Sequence, residues 1–195
     1  MALVEDGWAE FIEGTRGRPA MPFLGLALDF VNRPPGLAVE LGAGSGVETR
    51  ALLQLGWRVH AIDGDPHSAA VLAEEAGALG DRLTTEIGYF GDVEIPVADF
   101  VFAQFSLPFA GDRLDEVMGH VGEALGPGSV FGGHFFGPND DWAGEDDVRA
   151  VDRPWIDHTF GGWSMLDIEE FDDDSPYGLE GAMKHWHWFF VRARR

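Results

Sequence analysis

The sequence predicts an α/β fold in which helices cover both faces of a mostly parallel sheet. From Pro35 onward, short apolar runs alternate with longer segments of helical pattern, as expected for successive parallel β/α units. A glycine-rich turn follows the first apolar run, and an aromatic, β-branched run near the C-terminus favours a late strand. With 195 residues, 45% of them hydrophobic, the chain can bury one sizeable core, so we expect a single domain over 1–195.

The elements can be placed in order along the chain. The first strand is predicted over 37–41, and a glycine turn leads into a helix over about 46–55. The next elements are a strand over 57–62, a helix over about 66–78, strands near 83–87 and over 99–103, a helix over about 112–125, and a strand over 129–136. Pro66 suits the first turn of its helix, and Gly126-Pro127-Gly128 should end the later one.

The two ends of the chain are predicted to complete the sheet and cover it. Residues 138–157 form an acidic stretch that we expect to be part loop and part helix. Strands over about 163–171 and 185–193 should pair as an antiparallel hairpin at the edge of the sheet. Residues 1–33 are expected to be helical, and their apolar packing groups are Trp8, Phe11, Phe23, Leu24, Leu28 and Phe30.

Composition excludes several classes of function. A formal net charge of −21 gives a field that repels phosphate backbones and anionic lipid, so we expect neither nucleic acid nor membrane as a partner. The absence of cysteine removes disulfides, thiolate metal sites and cysteine nucleophiles. The first residues lack the pattern of a signal peptide, which makes the cytoplasm the expected location.

The glycine turn carries the strongest chemical signal. It reads Glu40-Leu41-Gly42-Ala43-Gly44-Ser45-Gly46, between a predicted strand and a predicted helix, where backbone N–H groups can face a ligand. A dinucleotide fingerprint needs a third glycine where this chain has Val47, which disfavours a nucleotide-dependent oxidoreductase. An acidic residue two positions before the first glycine suits a cationic ligand group instead.

This motif resembles that of class I S-adenosylmethionine (SAM)-dependent methyltransferases, and the short length and aromatic ending are similar to small tellurite-resistance-type members. The resemblance implies a Rossmann-like, seven-stranded sheet of order 3-2-1-4-5-7-6, with residues 35–135 as the SAM-binding core. It implies that residues 1–33 cap the cofactor and that 136–195 form an acceptor-side lid and a C-terminal hairpin. The cofactor-binding residues that it implies are Glu40, Gly42, Ala43, Gly44, Gly46, Asp63, Gly64, Asp92, Val93 and Gln104.

Within that set, the resemblance assigns Asp63 to the ribose hydroxyls and Asp92 to the adenine amino group, with Val93 at the ring face. A carboxylate can accept two O–H donors at once, which suits the ribose role. Phe90 is a further candidate for stacking on adenine. Arg16 and Arg18 are candidates for pairing with the carboxylate of SAM.

Methyl transfer from a sulfonium is an in-line displacement, so the protein mainly aligns the acceptor and excludes water. The acceptor pocket is expected near Phe105, His134 and Trp142. If the acceptor is a hydroxyl, His134 or His158 could act as a base. Trp142, Trp155, Phe160 and Trp163 either roof this pocket or only cover the sheet end. The acidic runs at 140–141, 145–147 and 172–174 are interpreted as solvated loops rather than metal sites.

The sequence therefore favours a methyltransferase that converts SAM to S-adenosylhomocysteine (SAH) on a small-molecule acceptor, as a monomer or homodimer. A non-catalytic SAM-fold protein in a partner complex is the alternative from another class. An oxidoreductase is the third possibility.

Overall fold

A computed structural model describes residues 5–177 and 181–195, with side chains from Trp8 onward. Seven strands form one sheet: β1 (Leu37–Leu41), β2 (Arg58–Asp63), β3 (Leu83–Ile87), β4 (Ala98–Ala103), β5 (Leu125–Phe136), β6 (Met165–Tyr177) and β7 (Ala182–Arg194). Their order is β3-β2-β1-β4-β5-β7-β6, which confirms the predicted order. β1 to β5 are parallel to one another, whereas β7 lies antiparallel between β5 and β6.

Six helices are described: α1 (Glu5–Thr15), α2 (Pro22–Leu28), α3 (Val47–Gln54), α4 (Pro66–Ala76), α5 (Leu114–Ala124) and α6 (Arg153–Thr159). α1 and α2 fall in the N-terminal region that was predicted to be helical, of which residues 1–4 lie outside the described part. The Asp65 carboxylate caps α4 by accepting the N–H of His67, and Pro66 occupies the first turn. Over residues 5–177 and 181–195, none of the helices is both long and apolar enough to traverse a bilayer.

The sheet separates two apolar clusters. On one face, α5, α6 and the short helical turn at Leu107–Arg113 pack against Val39, Val101 and Phe131. On the other face, residues of α2, α3 and α4 pack against the strand residues that alternate with these, such as Ala38 and Phe100. Helices therefore cover both faces of the sheet. The loops that lead to them meet at the carboxyl ends of β1, β2 and β4.

The C-terminal hairpin is longer than predicted. β6 and β7 have 13 residues each, and β6 continues through Asp172, Asp173 and Asp174, which were predicted to lie in a loop. An edge strand exposes its side chains as fully as a loop does, so a run of carboxylates stays solvated there while the backbone pairs with β7. Beyond the last β5 pair, Phe136 with Trp188, the hairpin continues from the pair Asp172–His187 to the pair Tyr177–Ala182.

This overhang extends about 20 Å past the end of β5, at about 3.3 Å for each residue. β5 is parallel to β1 and β4, so its end lies at the carboxyl edge of the sheet. The hairpin therefore rises beside the edge at which the glycine loop lies.

Candidate cofactor and acceptor site

The glycine loop connects β1 to α3 at the carboxyl edge of the sheet. Gly42, Gly44 and Gly46 have φ angles of 77°, 50° and 73°, which side chains rarely adopt. A Cβ atom at Gly42 would lie 2.3 Å from Cβ of Ser106, and one at Gly46 would lie 2.8 Å from Cδ2 of Leu72. A Cβ atom at Gly44 would have no neighbour within 4 Å. The loop is therefore closely packed at Gly42 and Gly46 and open at Gly44.

Asp63 faces the same loop from the end of β2. Its two carboxylate oxygens accept the N–H of Gly44 at 2.7 Å and the N–H of Asp65 at 2.9 Å. The side chain is nearly buried, and burial raises the pKa of this carboxyl above its ordinary value. Each oxygen keeps a lone pair beyond the bond that it already accepts, which leaves room for two hydroxyl donors.

Two more carboxylates lie behind the loop, those of Glu40 and Glu48, and both are buried. Glu40 accepts the hydroxyl of Thr49, and its pKa is raised well above the ordinary value, first by burial and then by the charge of Glu48. Glu48 binds the guanidinium of Arg18 at 2.9 and 3.1 Å. Two buried carboxylates with one arginine favour a ligand that brings a positive charge of its own.

The N-terminal arginines do not stand free for a carboxylate ligand. Arg18 is held by Glu48, and Arg16 pairs with Glu74 at 2.6 Å. In this arrangement the protein's own acids hold both guanidinium groups, and the pairing of Arg16 or Arg18 with the carboxylate of SAM stays a prediction.

The segment after β4 lies directly beneath the glycine loop. The Ser106 hydroxyl donates to the carbonyl oxygen of Leu41 at 2.6 Å, and the Gln104 amide nitrogen is 3.5 Å from Oε1 of Glu48. Oε1 of Gln104 is buried, and no described group donates a hydrogen bond to it. Phe105 has a φ of 53°, and it alone of the described non-glycine residues has a positive φ. Such a conformation costs about 1–3 kcal/mol and is typical of ligand sites.

The predicted adenine side contains an ion pair. The Asp92 carboxylate forms an ion pair with Arg113 at 2.6 Å, and Arg113 also binds Glu116 and the carbonyl oxygen of Gly91. Arg113 binds only Oδ1 of Asp92, and the side chain is largely exposed, so the assignment of this carboxylate to the adenine amino group stays a prediction. Val93 is partly buried against the core, and together with Asp92 it lines a pocket beside α5.

Tyr89 is an exposed aromatic residue beside the end of β2 that the sequence interpretation did not consider. Its ring lies 3.3 Å from the position of a Cβ on Gly64, directly after Asp63, and the residue is 68% exposed. Phe90, the predicted stacking residue, packs instead against the sheet core, 3.6 Å from the Cβ position at Gly42. The available signal for Tyr89 was the glycine after Asp63. Because Gly64 has no side chain, it leaves a gap that a ring from the loop after β3 can cover.

We predict that Tyr89→Ala weakens SAH binding about fivefold, because stacking of an aromatic pair contributes about 1 kcal/mol. Tyr89→Phe should keep the wild-type affinity, since it retains the ring. Calorimetric titration with SAH measures both variants. An unchanged affinity in Tyr89→Ala would show that the ring does not touch the cofactor.

His134 is fully buried between two rings. The Phe105 ring centroid is 3.9 Å away at 20°, and that of Phe190 is 4.7 Å away at 22°. Neither ring nitrogen has a hydrogen-bond partner among the described residues, and burial lowers the pKa of His134 to about 3. A group that binds a proton so weakly and is covered by Phe105 is poorly suited as a base, so the structure argues against that role. His158, the other candidate, is exposed on the last turn of α6.

The aromatic residues of the predicted lid separate into two groups. Trp142 contacts Phe109 and Trp186 near the carboxyl edge, at centroid distances of 6.2 and 5.6 Å. Trp155, Phe160 and Trp163 instead pack on the sheet face shared with α5. Of the two interpretations left open for these three residues, the structure supports the one in which they cover the sheet.

Part of the chain is similar in sequence to known methyltransferases. Residues 39–131 match the family model described as a methyltransferase domain. Ribosomal RNA small subunit methyltransferase H of Methylorubrum extorquens is 46% identical over 67 residues, which are 33% of this chain and 19% of the relative. The chain thus spans about a fifth of the length of this curated relative.

Solved structures match over nearly the whole chain. The crystal structure of TehB from Haemophilus influenzae superposes with a TM-score of 0.76 and 16% identity, over 98% of this chain and 66% of TehB. Phosphoethanolamine N-methyltransferase 2 of Haemonchus contortus, in complex with S-adenosyl-L-methionine, matches with a TM-score of 0.72 and 16% identity, over 98% of this chain and 57% of the other. At these identities the matches establish the fold.

Proposed function

We propose that this chain, whose core is a class I SAM-dependent methyltransferase domain, transfers the methyl group of SAM to a small-molecule acceptor. The observation that carries the proposal is the open space above Gly44 beside the Asp63 carboxylate. The donor set fits SAM, because it offers a backbone cradle, an acceptor for ribose hydroxyls and buried negative charge for the cationic methionyl group. SAM supplies both the methyl group and its leaving group.

The protein's part in this reaction is binding and alignment. Asp63 would accept the ribose hydroxyls with the lone pairs that Gly44 and Asp65 leave free. Glu40, whose charged form a cationic ligand group would stabilise, lies with Glu48 near the methionyl end, and the unpaired Oε1 of Gln104 can accept an N–H from the ligand. No fixed base is required for an in-line displacement on a neutral nucleophile.

The ribosomal RNA acceptor of the curated relative suits this chain poorly. A net charge of −21 repels an RNA backbone, and the match covers only 19% of that relative. A non-catalytic role is disfavoured by the intact glycine loop. An oxidoreductase is disfavoured by Val47, which is buried where a dinucleotide site needs glycine. We further propose a cytoplasmic enzyme that acts as a monomer or homodimer.

The test is methyl transfer from labelled SAM to a cell extract separated into dialysable metabolites, protein and RNA. We expect label in the dialysable fraction with wild-type protein and none with Asp63→Ala. Label in RNA or protein would contradict a small-molecule acceptor. SAH binding without label in any fraction would favour the non-catalytic alternative.

A further inference from the structure

Rings from the hairpin overhang, the end of β5, the loop after β5 and the segment after β4 form a cluster that we call the aromatic wall. It consists of Phe105, Phe136, Trp142, Tyr177 and Trp186. Trp186 lies at its centre, with ring centroids 5.7 Å from Phe105, 5.9 Å from Phe136, 5.6 Å from Trp142 and 6.4 Å from Tyr177. Because Phe105 directly follows Gln104, the wall is continuous with the segment beneath the glycine loop.

The wall already binds one alkylammonium group, which belongs to the only lysine of the chain. Nζ of Lys184 lies 3.8 Å from the ring centroid of Trp186, 4.4 Å from that of Trp142 and 5.3 Å from that of Phe136. The faces of aromatic rings attract cations through their quadrupole, most strongly where water is excluded. This contact shows which ligand chemistry the rings stabilise.

The charged groups around the wall also favour a cationic acceptor over an anionic one. The Lys184 ammonium is paired with the buried carboxylate of Asp140, and the Arg18 guanidinium is paired with Glu48. Neither cation is therefore available to an anionic acceptor. A chain of net charge −21 also raises the local concentration of cations and lowers that of anions.

We propose that the acceptor is a small organic amine with an aromatic or apolar body, bound against the aromatic wall. This inference rests on the proposed methyltransferase function. The lone pair of the uncharged amine attacks the methyl carbon, the carbon–sulfur bond breaks, and its electron pair passes to sulfur. The positive charge thus moves from the sulfonium to the new alkylammonium, which the ring faces stabilise before a proton is lost to water.

The test uses three probes of similar shape and different charge on the SAH-loaded protein. Calorimetry compares 2-phenylethylamine, 2-phenylethanol and 3-phenylpropionate. We expect the amine to bind at least about tenfold more tightly than the alcohol, because only the ammonium gains a desolvated cation–π contact. The propionate should show no binding. Propionate binding as tight as that of the amine, or no binding of any probe to SAH-loaded protein, would overturn the inference.

Variants of Trp186, at the centre of the wall, distinguish a cation–π contact from the burial of apolar surface. Trp186→Leu should weaken amine binding about tenfold or more, whereas Trp186→Phe should lose less because it keeps a ring. Trp163→Leu, on the opposite face of the sheet, is the matched control and should leave amine binding unchanged. Wild-type amine affinity in folded Trp186→Leu contradicts the inference. Failure of wild type to bind SAH at all would instead refute the proposed function, so the two failures are distinct.

Discussion

Replacement of Asp63 by alanine is expected to abolish high-affinity binding of SAH while the protein stays folded. The carboxylate would contribute two hydrogen bonds to ribose, and bonds to a charged group contribute about 1.5–3 kcal/mol each. Their loss corresponds to a weakening of between about 100-fold and 10,000-fold. Calorimetric titration with SAH measures it, beside thermal unfolding of the same sample.

The fold should tolerate this change because the buried carboxylate of Asp63 contributes little to the stability of the free protein. It accepts the N–H groups of Gly44 and Asp65, but burial raises its pKa, which shows that the charged form is poorly solvated. Asp65→Ala is the matched control, since it removes a neighbouring carboxylate that only caps α4. The control should lose about 1 kcal/mol of stability and keep SAH affinity. Equal loss of affinity in both variants would mean that the effect is structural and not due to ribose contacts.

The parts of the site near the glycine loop could be predicted because they are local or fixed by topology. Gly42 and Gly44 follow a strand directly, and parallel pairing of β1 with β2 brings the end of β2, with Asp63, to the same edge. The sheet order, which the family resemblance implied, is confirmed.

Other features could not be predicted because they depend on side-chain pairing between distant segments. The pairing of Arg113 with Asp92 and of Arg18 with Glu48 could not be read from the sequence. The chain has many acidic residues, and sequence separation does not indicate which of them lies near a given arginine. The burial of His134 follows from Phe105, whose unusual φ is invisible in the sequence. The length of the hairpin was underestimated because Asp172–Asp174 lack strand propensity, which pairing with β7 overrides.

The second large effect is expected at the lone lysine. Lys184→Met should destabilise the protein by about 3–5 kcal/mol, because it leaves the buried Asp140 carboxylate without its counter-charge. Lys184 and Asp140 are both almost inaccessible to solvent, and burial lowers the pKa of the lysine despite its partner. Asp140 also accepts the N–H groups of Trp142 and His187, so the pair joins the loop after β5 to the hairpin. Urea unfolding of the wild type and the variant measures the difference.

A double-mutant cycle distinguishes loss of pairing from loss of packing. Asp140→Asn alone should be costly because the ammonium loses its counter-charge, but Lys184→Met combined with Asp140→Asn should cost less than the two single changes added together. Arg153→Met serves as the control, because its ion pair with Asp157 is about half exposed and contributes about 0.3–0.5 kcal/mol. Additive single and double costs would show that the two charges do not stabilise each other. The loop that carries Trp142 would then be held by its backbone hydrogen bonds alone.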